Sequence, residues 1–401
     1  MKTISLLTGA HLSRNPRVVK EANALAEAGY QVSILTVWTH KEWLETDKTL
    51  IHPSIHYAGI DLTAWNSPAS LFYRALRRFF QELNQRWGIE SPHSLNYALL
   101  PLLRKARKTN ADLYICHQET GLVLGAWLLK AGRKVAFDFE DWYSKDLLPE
   151  NRASRPVKLL ENMEKSGLKN GLFSLTTSHA MAAEMGQFFQ TPPPEVIRNV
   201  FPVPHDLESR SHPNQPVRLA WFSQTIGPGR GLELLFQAIS LLPRTPLEIH
   251  LTGDVSEAYR ADLIGRLKYP GIHSLHFHRP VAPQALPAFL SRFDIGLALE
   301  QSTPESRNLT ITNKIVQYLQ SGLAVIATET AGQKEVAQLA PNAVFLIGHK
   351  DELAQKLAML ADDTSLLANA RQAALACSRE ELNWEKEQER LLAVVRRVPS
   401  P

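Results

Sequence analysis

Cysteine is nearly missing from this chain of 401 residues: Cys116 and Cys377 stand far apart and outside any C-x-x-C spacing. That pattern argues against both a disulfide framework and a zinc site, and it fits a reducing cytoplasm. No window of about 20 uninterrupted apolar residues occurs, so no segment qualifies as a membrane span. The N-terminal run Ile4-Ser5-Leu6-Leu7 soon meets Arg14 and Arg17, lacks a cleavage-site pattern, and reads as a buried strand. A large excess of one charge is also absent. The formal net charge is +4, so affinity for phosphate or anionic lipid must come from local clusters, and the bulk charge does not point to nucleic acid. No short-period repeat is visible.

What is present is an ordinary globular composition, 44% apolar and 21% charged, without the signature of disorder. The length suits two cores of roughly 200 residues each. Short apolar or β-branched runs alternate with helical patterns throughout, the mark of parallel sheets covered on both faces. In the first half the runs are Ile4–Leu7, Val32–Val37, Leu113–Cys116, Val135–Asp138, Phe173–Thr176 and Val196–Ile197. In the second they are Arg218–Phe222, Leu247–Thr252, Leu275–Phe277, Ile295–Leu299, Ala324–Ala327 and Ala343–Leu346. Pro192, Pro193, Pro194, Pro202, Pro204, Pro213 and Pro216 disfavour helix between the halves. The expected division is 1–200, a connector at 201–217, 218–380, and a terminal helix within 381–401.

Ligands of open parallel sheets bind beyond the carboxyl ends of strands, where helix N-termini present free N–H groups. Three loops qualify. After the first run, Asn15 can cap a helix that begins at Pro16, placing Arg17 and Lys20 on one face. An ordinary solvated first turn and a phosphate- or acceptor-facing pair both fit. After Phe222, glycines 227, 229 and 231 surround Arg230 and lead into a helix near Leu232. Gly229 lets backbone approach a ligand, and Arg230 adds a bidentate phosphate donor. The spacing is neither a P-loop nor G-x-G-x-x-G.

The third loop, Asn308 to Ile326, is the most informative. Thr310 or Thr312 can cap a helix with Asn313 and Lys314 in its first turn, Gln317 one turn on, and Gly322 as its stop. An ammonium at a positive dipole end is unfavourable unless an anion is bound between the two.

These residues resemble the retaining GT-B glycosyltransferases, especially the large family-four group. Arg230-Gly231 is similar to the basic-glycine pair that starts that group's first C-terminal-domain helix. Lys314 and Gln317-Tyr318-Leu319-Gln320-Ser321-Gly322, with Leu323-Ala324-Val325-Ile326 behind, resemble its donor segment. Ser13–Ala22 with Ala28-Gly29-Tyr30-Gln31-Val32, Ala111–His117, Asp138-Phe139-Glu140-Asp141 and Trp384-Glu385 extend the likeness over nearly the whole chain.

The resemblance implies an α/β fold of two Rossmann-like doubly wound domains facing across a cleft, and an expected role in polysaccharide biosynthesis of bacterial type. It implies metal-independent transfer of a sugar from a nucleotide-diphosphate sugar, with retention, to a glycan, lipid-linked saccharide or other hydroxyl acceptor. Arg230 and Lys314 would hold the diphosphate and Gln317 the ribose hydroxyls, with Gln224, Gly229, Asn308, Thr310 and Asn313 lining the donor site. No cofactor or metal is expected, because cations and helix dipoles neutralise the leaving diphosphate. The sequence departs from the group where it commonly has glutamate: Leu309 and Gln317 stand at those two positions, with Glu305 or Asn308 as substitutes for the first. Gln224 replaces a common arginine and Glu140 a common histidine.

On the acceptor side, His117, Glu140 and Asp141 end two strands and are the candidate catalytic residues, with Arg17 and Lys20 beside them. Helix capping by Asp138 and Asp141, with a locally satisfied His117, is the alternative. Residues 71–83 mix Leu71, Phe72 and Phe79 with Arg74, Arg77 and Arg78. That pattern fits packing on the first domain or peripheral contact with the inner face of a membrane. Rival functions are an epimerase or phosphorylase of the same fold, a periplasmic-type receptor, and a non-catalytic nucleotide-sugar or glycan binding module.

Overall fold

The computed structural model describes residues 2–148, 152, 154–204 and 216–399. Most of the connector expected at 201–217 therefore lies outside the described residues. The chain divides into two compact units, Met1–Ile197 with Glu387–Pro401, and Arg198–Lys386. The final helix, Trp384–Arg396, thus begins in the second unit and belongs to the first from Glu387 onward.

The first unit is built on seven strands: β1 (Thr3–Leu7), β2 (Gln31–Trp38), β3 (His56–Asp61), β4 (Leu113–His117), β5 (Val135–Phe139), β6 (Ser174–Thr176) and β7 (Glu195–Val196). All neighbours are parallel, in the order β3-β2-β1-β4-β5-β6-β7. β1, β4 and β5 are buried along almost their whole length, which is why they read as apolar runs. The edge strand β3 gave no such run, because only Ala58 is buried among its residues.

The second unit carries β8 (Val217–Ile226), β9 (Leu247–Val255), β10 (His273–His278), β11 (Ile295–Ala298), β12 (Ala324–Thr328) and β13 (Val344–Ile347). Its order is β10-β9-β8-β11-β12-β13, again parallel throughout. Alternation along β8 sends Leu219 and Trp221 to one core, with Leu232, Leu235 and Leu353, and Ala220 to the other, with Ile315, Tyr318 and Leu319. Each such aliphatic or aromatic side chain stabilises its core by roughly 1.5–3 kcal/mol.

Both units are doubly wound sheets, as the alternating pattern implied. Each has a switch point where strand order reverses: β1 beside β4 in the first, β8 beside β11 in the second. Ligand crevices open beyond the carboxyl ends at such points. In the first unit that is the loop after Leu7 and the exit at His117. In the second it is the glycine loop after Ile226 and the exit Leu299-Glu300.

Candidate functional site

At the first switch point the loop 8–15 is fixed from inside. His11 is buried; its Nδ1 lies 2.8 Å from an Asp47 oxygen, and its Nε2 accepts the Thr39 N–H at 2.9 Å. Burial alone would raise the Asp47 carboxyl, but bonds from His11, the Ser13 N–H and Tyr57 outweigh it and hold it below its ordinary value. Asn15 caps the helix Pro16–Glu27, accepting the Val18 N–H at 3.4 Å, and donates to Glu140 Oε1 at 2.8 Å.

Arg17 and Lys20 turn inward. Arg17 is fully buried, with Nε 2.7 Å from Asp138 Oδ2 and 3.2 Å from Glu21 Oε1, while Nη1 donates to the Ile197 carbonyl at 2.6 Å. Burial, with Arg17 as a neighbour, lowers Lys20 to about 7. His117 is also fully buried, 3.2 Å from Glu140 Oε1 and 3.4 Å from Glu21 Oε2. Burial alone would discharge it; Glu21 and Glu140 outweigh that and raise it to about 10. Burial and Asp138 raise Glu21 well above the usual carboxylate range. Asp138, which burial alone would raise, is held low by Arg17 and His117.

Among the described residues, Glu21, His117 and Asp138 form the one group whose ligand atoms lie close enough for a shared metal ion. The Arg17 guanidinium already stands against both carboxylates, so the protein supplies the positive charge there. His117 is thus an interior group in contact with Glu140. Glu140 keeps a partly exposed carboxylate at the strand exit. Burial, with Asp146 and Glu140 as neighbours, raises Asp141 to about 7, so it changes charge near neutrality.

At the second switch point, Gly231 has φ +84°, and a Cβ there would fall 2.2 Å from the Leu299 carbonyl oxygen. Glycine is therefore required for the loop 227–231 to lie against the β11 exit. Gly229 donates its N–H to Glu233 Oε1 at 3.1 Å. Arg230 is exposed and donates to Ser223 Oγ at 3.0 Å, and Gln224 is exposed on β8. The helix Leu232–Ile239 starts at Gly231 with no side-chain cap.

The helix Asn313–Gln320 is also uncapped. Thr312 occupies the cap position, but its hydroxyl makes no cap bond and is buried without a partner. Lys314 in the first turn places Nζ 2.7 Å from Glu300 Oε1 and 5.7 Å from the Trp221 ring centre. The anion that the dipole argument calls for is thus a carboxylate of the chain, one that sequence reading missed. Gln317 is largely buried; its carbonyl accepts the Ser321 N–H at 3.0 Å, and its side-chain amide makes no hydrogen bond to a described residue.

Other expected donor residues hold the loop. Asn308 Oδ1 accepts the Ala331 N–H at 3.2 Å, Thr310 Oγ1 donates to the Ser306 carbonyl at 2.8 Å, and Asn313 Oδ1 accepts from Asn199 at 3.3 Å. Leu309 is 4% exposed and belongs to the core, and Glu305 is exposed.

Residues 217–363, about three quarters of the second unit, match the family model of glycosyl transferases group 1. That segment of the second unit is similar to the group 1 glycosyltransferases. Solved structures agree on the fold. Anabaena HepE in complex with UDP superposes at TM-score 0.69 with 17% identity, covering 99% of this chain and 100% of that one. Sucrose-phosphate synthase from Thermosynechococcus elongatus gives 0.70 at 15% identity, covering 99% and 98%. A UDP-N-acetylglucosamine 2-epimerase from Listeria monocytogenes, described as putative, gives 0.58 at 13% identity, covering 99% and 96%. No curated protein matches the sequence significantly. The architecture is GT-B, and the basic loop of the matched segment lies at the switch point of the second unit.

Proposed function

We propose that this chain transfers a sugar from a uridine diphosphate sugar to a hydroxyl of a glycan or lipid-linked saccharide, with retention and without a metal ion. The observation that carries the reading is the pair of uncapped helix N-termini, with Arg230 and Lys314, at the switch point of the second unit. Backbone N–H groups and two cations there match a diphosphate in charge and hydrogen bonding. As the sugar leaves, negative charge grows on the diphosphate, and preorganised donors stabilise it without reorganising. Gln317 offers a partner-free amide to ribose hydroxyls. Uridine is favoured over other bases because HepE is described with UDP and with UDP-glucose.

The reading assigns the acceptor to the first unit. Asp141 is the carboxylate suited to accept the hydrogen bond of the attacking hydroxyl, with Glu140, held by Asn15 and His117, beside it. Only the ionised form of Asp141 accepts in this way, so kcat should rise with pH through a midpoint near 7. In Asp141→Asn that limb should vanish and kcat fall about 10²-fold. A pH–rate limb unchanged in the variant would remove Asp141 from the mechanism. The missing acids at Leu309 and Gln317 favour one rival, a non-catalytic binding module, which would hold the nucleotide sugar and never release free nucleotide from it.

Peripheral membrane contact belongs to the same proposal. No described helix is long and apolar enough to cross a membrane. The helix Pro68–Trp87 buries only Ser70 and Asn84, and leaves Leu71, Phe72 and Phe79 each more than half exposed. Arg74 stacks on Trp65, and Arg77 bonds Ser94 and Tyr97, so these two hold the helix to its own unit. Arg78 is exposed with the apolar face, a composition suited to anionic lipid. Wild type should co-sediment with phosphatidylglycerol vesicles, and Phe72→Ser with Phe79→Ser and Arg78→Glu should weaken that at least tenfold. A wild type that stays in the supernatant would end the membrane reading.

A further inference from the structure

Glu300 has no counterpart among the residues that the family likeness brought forward, yet it occupies the centre of the second switch point. β11 ends at Ala298 beside β8, so Leu299-Glu300 leaves the sheet where the strand order reverses. Its backbone is fixed from two sides: the glycine loop lies against Leu299, and Thr328 Oγ1 donates to the Glu300 carbonyl at 2.6 Å. Its side chain is fixed as well, with Oε1 2.7 Å from Lys314 Nζ and only 13% of the side chain exposed. Oε2 has no hydrogen-bond partner among the described residues. A carboxylate accepts about four hydrogen bonds, and the bond to Lys314 uses one.

The donor positions expected in the third loop and its helix supply no carboxylate. Leu309 is in the core, Gln317 is neutral, and Asn308 and Thr310 are bonded to the loop. An oriented carboxylate one hydrogen bond away from a diphosphate-facing ammonium lies within reach of the groups on either side of a diphosphate. Both of those groups carry vicinal hydroxyls.

We propose that Glu300 is the hydroxyl receptor of the donor site: Oε1 stays on Lys314, and Oε2 accepts hydroxyl hydrogens of the donor, from the transferred sugar or from the ribose. This rests on the donor-site reading above and gives it a recognition element peculiar to this chain. Hydroxyl bonds to a carboxylate are charge-assisted and about twice as strong as neutral ones. Glutamine at 300 keeps the shape and one acceptor oxygen but removes the charge. The same change also relieves Lys314 of its carboxylate, so a Glu300 that did nothing but neutralise Lys314 would bind the diphosphate more tightly once replaced.

Calorimetric titration of wild type, Glu300→Gln and Glu300→Asp with UDP, 2′-deoxy-UDP and UDP-glucose separates these cases. The proposal expects Glu300→Gln to weaken UDP-glucose at least tenfold, with part of the loss restored in Glu300→Asp. If UDP keeps its affinity, which also certifies the fold of the variant, the receptor serves the sugar. If UDP falls equally while 2′-deoxy-UDP is insensitive to the substitution, it serves the ribose. Unchanged or tighter binding of both UDP and UDP-glucose by Glu300→Gln would overturn the inference and leave the donor site standing. A wild type that bound neither ligand would instead overturn the donor-site reading itself.

Discussion

Replacing Arg17 by methionine is expected to destabilise the first unit by about 3–5 kcal/mol, the cost of leaving buried charges without their partner. Its guanidinium is the neighbour shared by Glu21 and Asp138, both fully covered, and it also bonds the Ile197 carbonyl. The deficit should depend on pH. Glu21 has a raised pKa, so the native state holds its proton to higher pH than the unfolded chain does, and that contribution is lost as pH rises. Without Arg17 the ionised carboxylate is less tolerable still, so Arg17→Met should be worse at pH 8 than at pH 5.5. Urea denaturation followed at both values checks this, and adding Glu21→Gln with Asp138→Asn should recover part of the loss. A cost below about 1 kcal/mol at pH 8 would mean that the network is solvated and that its interior description is wrong.

Lys314→Ala is expected to lower kcat/KM by about 10²–10³, the usual effect of deleting one preorganised donor from a site where charge develops. Two losses combine. The ammonium no longer faces the diphosphate, and Glu300, 2.7 Å from it in the wild type, is left as an unpaired negative charge beside an anion. The second loss predicts coupling: Lys314→Ala with Glu300→Gln should be less impaired than the sum of the single variants, as contacting residues in one network deviate from additivity. Arg230 is exposed, and solvent screens its charge, so Arg230→Ala should cost less, about tenfold. Steady-state kinetics on the three variants and the double variant read all of this.

Most of the fold was legible, because strands covered on both faces must be apolar, and β4, β5 and β11 announce themselves by composition. Strand β3 was not, since an edge strand with one buried residue has no run to read. Lys314 was legible as an anomaly at a helix start. Its carboxylate partner was not, because Glu300 reads as loop until the strand order places it at the switch point. Arg17 shows the limit most clearly. Its spacing to Lys20 implied a shared face and left open what that face meets, whereas the answer, Asp138, lies 121 residues further along the chain. Thr312 occupies the expected cap position without making the bond, a distinction that no spacing rule contains.

If the second unit holds a nucleotide diphosphate as proposed, Lys314 is the group that binds it. Titration of UDP into wild type and Lys314→Ala tests it most directly. The wild type should bind saturably and the variant at least tenfold more weakly, with both proteins retaining a cooperative thermal unfolding transition of the second unit, which carries Lys314. Equal binding to both proteins, or none to the wild type, would contradict it.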